Sequence, residues 1–239
     1  MSTQSHEGSA SAMIELARLK VSGMSLESDT LWLASISDKL VARAAASAAL
    51  AEVVLTYPHA VADVAPVPEG LWMVAGGGSE GRQCVLWSLA EAREIRRFDC
   101  PGGAGGGLTW YRERLWLTHR HNRRLLVLDP KSGAVERTIP TEHEIFSPSV
   151  AGGALWLVEA ETGPFGRFSP PSESSYFFSR FDPDTERTVE RLAAPATPVA
   201  MATDGTRFWF APRDGTGVKC VARSALAAVS LPASATGVR

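Results

Sequence analysis

The sequence is short of several things that would narrow its chemistry quickly. Its 239 residues contain three cysteines, Cys84, Cys100 and Cys220, an odd number with no CxxC pair among them. That argues against a disulfide framework and for a reducing compartment, so a cytoplasmic protein is expected. Charge of one sign is not in excess: 24 Lys and Arg stand against 26 Asp and Glu, a formal net charge of −2. Such a balance gives neither nucleic acid nor an anionic membrane the basic footprint that both favour, and neither is expected as a partner. No run of 18 apolar residues occurs, so no membrane-spanning helix is expected. Residues 1–12, MSTQSHEGSASA, lack the basic start and apolar stretch of a secretory signal. They are expected to form a mobile tail, as are residues 233–239, around a single domain over residues 13–232. No HExxH motif and no glycine loop ending in GK[ST] is present.

What is present in quantity is tryptophan at a regular interval. The chain reads LWLAS at 31–35, LWMVA at 71–75, LWLTH at 115–119, LWLVE at 155–159 and FWFAP at 208–212. Trp32, Trp72, Trp116, Trp156 and Trp209 are therefore 40, 44, 40 and 53 residues apart. The third repeat is the cleanest: GLTWYRE, RLWLTHR, RRLLVLDP and KSGAVERTIP are four stretches of strand character joined by turn residues. Four strands per unit at about 40–45 residues is the mark of a propeller blade. The chain is read as all-β, a five-bladed β-propeller of four-stranded blades. Within each LWLxx the tryptophan takes one face and its apolar neighbours the other. Both faces are apolar because both are covered by adjacent blades.

Two local assignments stay open. Residues 37–55 are rich enough in alanine to favour a helix, while their place in the repeat favours the third and fourth strands of blade one. Residues 13–21 either open blade one or close the ring beside 226–231. Cys84 and Cys100 fall on neighbouring strands of blade two and are read as buried small hydrophobes.

The blade pattern GLTWYRERLWLTHRHNRRLLVLDPKSGAVERTIP resembles the YncE-like, virginiamycin B lyase-like and plant-type glutaminyl cyclotransferase propellers, over about residues 20–232. The cyclotransferases are five-bladed and of similar length, and use acidic and aromatic residues around the central channel to close an N-terminal glutamine. The chain has no counterpart of their Glu and Trp motifs, so the resemblance implies the fold and not that activity. The lyases use histidines and a glutamate with a divalent metal on one propeller face, but have more blades.

In a propeller, loops joining strands two and three emerge on the same face as the connections between blades. That rule collects four of the five histidines: His59, His119, His121 and His143. Glu142 and Glu144 flank His143, and Glu159 and Glu161 follow the second strand of blade four. Histidines at i and i+2 leave an extended strand on one side, which suits acid–base chemistry near neutral pH or a metal. The catalytic candidates are His119, His121, His143, His59, Glu142, Glu144 and Glu159. If a divalent metal is bound, the expected ligands are His119, His121, His143 and Glu159; no cofactor is certain.

Arg82, Arg120, Arg123, Arg213, Glu161, Phe165 and Phe168 are the candidates for binding substrate. The run GGAGGG at 102–107 offers backbone amides to an anion. The long loop 162–175 reads as a lid or a partner-binding flap. The expected function is a lyase, cyclase or isomerase acting on a small molecule or peptide end in the channel mouth. The alternative is a propeller that binds a protein, peptide or sugar without turnover.

Overall fold

A computed structural model describes residues 12–77, 81–161, 174–213 and 215–231. Twenty strands fall into five sheets, each an antiparallel meander. Blade one holds β2 (Gly23–Glu27), β3 (Thr30–Ser35), β4 (Leu40–Ala45) and β5 (Leu50–Thr56). Its outer edge gains β1 (Met13–Glu15). Blade two is β6 (Val61–Val67), β7 (Gly70–Gly76), β8 (Arg82–Ser88) and β9 (Arg93–Asp99). Blade three is β10 (Leu108–Tyr111), β11 (Arg114–His119), β12 (Arg124–Leu128) and β13 (Val135–Pro140). Blade four is β14 (Glu144–Ala151), β15 (Ala154–Glu161), β16 (Ser175–Asp182) and β17 (Arg187–Ala193). Blade five is β18 (Pro198–Thr203), β19 (Arg207–Pro212) and β20 (Lys219–Ala222). No helix among the described residues is long and apolar enough to cross a membrane.

The repeat's apolar code is met at all five blade interfaces. Trp32 packs with Val64, Leu71 and Met73 of blade two. Trp72 packs with Leu108, Leu115 and Leu117 of blade three. Trp116 meets Ile145, Leu155 and Leu157 of blade four, and Trp156 meets Met201, Phe208 and Phe210 of blade five. Trp209 closes the circle against Leu31 and Leu33 of blade one. Each second strand thus sends its indole to the next blade and the flanking apolar pair to the previous one, as period-two alternation requires. All five indoles are buried. Burying side chains of this size is worth on the order of 1.5–3 kcal/mol each.

The alanine-rich segment forms β4 and β5, so burial overrides helix propensity. Ala42, Ala44 and Ala51 pack with Ala200, Ala202 and Ala211 around Trp209, where only small residues let blades one and five approach. Neither assignment for residues 13–21 survives whole. They belong to blade one, but Met13–Glu15 lie on its outermost edge, paired with β5 rather than with 226–231. The C-terminal segment instead bridges blade four, with Leu192 opposite Ala228. Two backbone bonds flank that bridge, Ala193 N to Ala227 O at 2.9 Å and Val229 N to Arg191 O at 2.8 Å. Between blades five and one the ring closes by side-chain packing, by Trp209 Nε1 donating to Ala46 O at 3.1 Å, and by the Gly217 amide donating to Leu19 O at 2.8 Å.

The inner strands converge on the axis at equivalent positions. Gly23, Asp63, Ser147 and Ala200 sit opposite Ala34, Val74, Val158 and Ala211, and Gly107 accepts from the equivalent Thr118 amide. Small residues are needed there: a Cβ on Gly23 would fall 2.3 Å from Asp63 Cα and 2.4 Å from Ala62 O. Asp63 is the exception, buried and used as a tie. Its oxygens accept from the amides of Leu108 (2.8 Å) and Val64 (2.9 Å), and the Met24 amide also bonds to it. One carboxyl therefore links the inner strands of three blades. Burial pushes its pKa up from 3.8 to about 8, against the lowering effect of those amides.

Two outcomes are expected. Gly23→Ala should lower stability by about 1–3 kcal/mol in urea denaturation, because the clash is with backbone. Folded Asp63 holds its proton more tightly than unfolded Asp63. Its contribution to stability is thus complete below about pH 4 and lost as pH rises through about 8. Asp63→Asn should flatten that part of a stability profile recorded between about pH 5 and 9.

Candidate functional site

Among the described residues, the loops after the second strands of blades one, two, three and five share a face with the connections between blades, and they enclose a cavity. It holds about 790 Å³ at one mouth of the axis. Ala62 lines it, whereas Ala65 lines a smaller pocket of about 130 Å³ with Ser25, Thr109 and Ser149 at the opposite mouth. Asp63 and its small neighbours lie between the two. The cavity walls include His119, Arg120 and His121 from blade three, Arg82 from blade two, and Arg213 from blade five.

The two histidines are held differently. His119 ends β11 half-buried, and its Nδ1 lies 3.0 Å from Asn122 Nδ2. Burial lowers its pKa below 6.5, helped by the positive charge of Arg124 and by His121. His121 is exposed in the short 3-10 turn Arg120–Asn122, its Nδ1 3.8 Å from Glu144 Oε1. The other oxygen of Glu144, itself buried, accepts from Arg120 Nε at 2.9 Å. Arg120 also lies flat on Phe146, its guanidinium carbon 3.6 Å from the ring centroid. Glu144 therefore fixes the turn that presents His121, working from behind the wall.

Arg213 and Arg82 have weaker anchors. The Arg213 guanidinium stands 5.2 Å from Phe146 and 5.8 Å from Tyr176, and its Nε is buried with no hydrogen-bond partner. Arg82 donates to Gly105 O, and burial lowers its pKa. No carboxylate is among the described residues lining this cavity.

The expectation that His143, Glu142 and Glu159 join His119 and His121 does not hold. Glu159 shares strand parity with Leu155 and Leu157, so its side chain faces blade three rather than the axis. There it is buried and accepts from Ser179 Oγ at 2.7 Å and from Arg191 at 3.2 Å. Arg191 also reaches Glu142, at 3.3 Å. His143 packs on Phe177, and its Nε2 lies 3.5 Å from Glu142 Oε2 without hydrogen-bond geometry. Glu142, Glu159 and Arg191 line a separate pocket of about 220 Å³. His59 is exposed beside Tyr57, and neither it nor Glu161 nor Arg123 lines the axial cavity. Arg123 instead caps its turn with a left-handed backbone at φ 50° and donates to Glu142 O.

The proposed metal set is divided in the same way, His119 and His121 on the cavity and His143 and Glu159 off it. Among the described residues no three His, Cys, Asp or Glu side chains converge to hold a metal ion. The glycine run does form cavity wall, at Gly103, Gly105 and Gly106. Its amides are largely committed, however: Gly103 to Cys100 O, Gly106 to Thr118 O and Gly107 to Thr118 Oγ1. Cys84 and Cys100 are buried free thiols with sulfurs 3.6 Å apart. Phe165, Phe168 and most of the 162–175 loop lie outside the described residues.

No protein-family model matches the sequence, and no curated protein matches it. Solved structures do match in shape. A glutaminyl cyclase of Myxococcus xanthus aligns with TM-score 0.61 and 14% identity, over 92% of this chain and 96% of that one. A chain of a mitotic checkpoint complex aligns at 0.54 and 9%, over 93% and 98%. A hydrazine synthase chain of Kuenenia stuttgartiensis gives 0.51 and 14%, over 90% of this chain and 60% of that one. At these identities the likeness establishes the propeller and nothing about the reaction.

The buried Glu159–Arg191 pair makes a stability prediction that separates structure from catalysis. Glu159→Ala leaves the buried Arg191 guanidinium only the exposed Glu142 as counter-ion and should cost about 1–3 kcal/mol, whereas exposed His59→Ala should stay within about 0.5 kcal/mol. Denaturant midpoints of the two variants check both values.

Proposed function

We propose that the axial cavity is the active site of a small-molecule or peptide-end enzyme of lyase, cyclase or isomerase type. The observation behind this reading is His119: a half-buried imidazole on the wall of a roughly 790 Å³ cavity, oriented by Asn122, its pKa lowered by burial. A lowered pKa leaves the ring neutral at pH 7, with a nitrogen free to take a proton from substrate. His121, one turn further and tethered through Glu144, is placed to return a proton to a leaving or newly formed group. Arg120 and Arg213 stand where negative charge develops during such a transfer, and donors fixed in a dry site stabilise it best.

Cyclase chemistry is the finer version of this reading. It draws on the propeller shared with the M. xanthus glutaminyl cyclase, so a glutaminyl peptide is the first substrate to assay. The second reading, ligand binding without turnover, draws on the lack of any carboxylate among the described lining residues to pair with the histidines.

His119→Ala should reduce turnover by roughly a hundred- to ten-thousand-fold with no change in thermal midpoint. In the wild type, kcat/KM should rise with pH through an inflection below 6.5, where His119 loses its proton, and the variant should lack it. Ammonia release from a glutaminyl peptide, followed by a wider set of small-molecule substrates, is the assay. Turnover that survives in both His119→Ala and His121→Ala would leave the propeller as a binding module.

A further inference from the structure

We infer that the axial cavity is built for an anionic ligand, a carboxylate or a phosphate, gripped by Arg213 and Arg82. This rests on the reading that the same mouth is the ligand site, and adds what the ligand must carry.

The first argument is charge. Lys20, Arg82, Arg120 and Arg213 line the cavity with no carboxylate among the described lining residues, on a chain whose net charge is −2. Among the described residues, the charge that lines this mouth is therefore wholly positive. Arg120 is neutralised from behind by Glu144, which leaves Arg82, Arg213 and the exposed Lys20 without a partner carboxylate among the described residues.

The second argument is the contrast with the rest of the chain. Elsewhere most arginines that are paired face a carboxylate: Arg43 with Glu52, Arg112 with Asp184, Arg114 with Glu136, Arg137 with Glu186, and the buried Arg191 with Glu159, whereas Arg96 and Arg123 reach only carbonyl oxygens from the surface. Arg213 is half-buried, touches only aromatic faces, and keeps a buried Nε without a partner. Arg82 is half-buried and has one carbonyl oxygen. Desolvating a guanidinium without a counter-ion is unfavourable, and such an arrangement is sustained where something else supplies the negative charge. The lowered pKa of Arg82 is the same strain seen in its proton affinity.

The third argument is geometry. A guanidinium fork matches the paired oxygens of a carboxylate or phosphate, which a lysine cannot do. Phe146 lies under both Arg120, at 3.6 Å, and Arg213, at 5.2 Å, so it holds the two forks in place before the ligand arrives. A cavity of about 790 Å³ suits a metabolite-sized molecule. The glycine wall is not needed as an anion cradle, since three of its amides are spent internally.

The test uses the full-length protein at constant ionic strength, by calorimetric titration and thermal shift with inorganic phosphate, succinate and chloride. At least one of phosphate and succinate should bind saturably and raise Tm above the chloride control. Phosphate alone identifies a phosphoryl ligand, and succinate alone a carboxylate. Arg213→Met and Arg82→Met keep the aliphatic stem and should each weaken binding by about tenfold or more. Arg223→Met, remote on Glu190, should bind as the wild type does.

No response to either anion up to about 20 mM, enough to fill even a millimolar site, overturns the inference. So does unchanged binding in both arginine variants. Saturable anion binding at Arg213, with turnover untouched in the histidine variants, sinks the enzyme reading and leaves this one. Histidine-dependent turnover of a substrate with no anionic group, without anion binding, does the reverse.

Discussion

Everything in this molecule depends on the demand that each sheet bury both of its faces. A sheet with one wet face can stand alone or in a sandwich, but a blade in a closed ring has a neighbour on either side. The second strands answer with the same solution five times, an indole forward and two aliphatic or aromatic side chains back. Because the face of every second strand is fixed, so is the exit point of the loop that follows it. The loops that carry His119, Arg120 and Arg213 reach one cavity for that reason.

The same constraint explains which parts of the site were legible in the sequence. Tryptophan spacing marks the second strands and strand order marks the face, and His119, His121, Arg82, Arg120 and Arg213 line the axial mouth on that face. Glu159 was misjudged because the strand runs two residues past the point where a loop was expected, keeping it in parity with Leu157 and aimed at blade three. Its partner Arg191 lies on an outer strand, where alternation is weak and polar residues are the rule, so nothing local announced a buried pair. Asp63 was overlooked although it is the lone acid within VADVAP. Alignment with Gly23, Gly107, Ser147 and Ala200 would have exposed it as the odd member of an axial ring of small residues. The destinations of the chain ends rest on three-residue pairings too short to leave a pattern.

Glutamate has two separate uses here, and distinguishing them changes the chemistry. Glu159 and Glu142 serve the blade three–blade four seam through Arg191. Glu144 sits between the seam and the cavity, holding Arg120 and His121 while contributing no surface of its own to the mouth. The charged groups of the described lining are thereby all basic, Lys20, Arg82, Arg120 and Arg213, set beside two imidazoles among glycines and small or apolar side chains. A wall of that composition repels free cations and concentrates electron-rich groups beside an imidazole that is neutral at pH 7.

Two segments near the ends of the described chain strap the ring. The first strand of the chain reinforces blade one from outside, and the last described residues reach back across blade five to grip blade four. Blade five has three strands of its own among the described residues and lies between the two, tied to the segment before blade one by the Gly217 amide on Leu19 O. The wall that carries Arg213 is therefore clasped from both sides by segments far from it in sequence, and the shape of the mouth depends on contacts made well away from it.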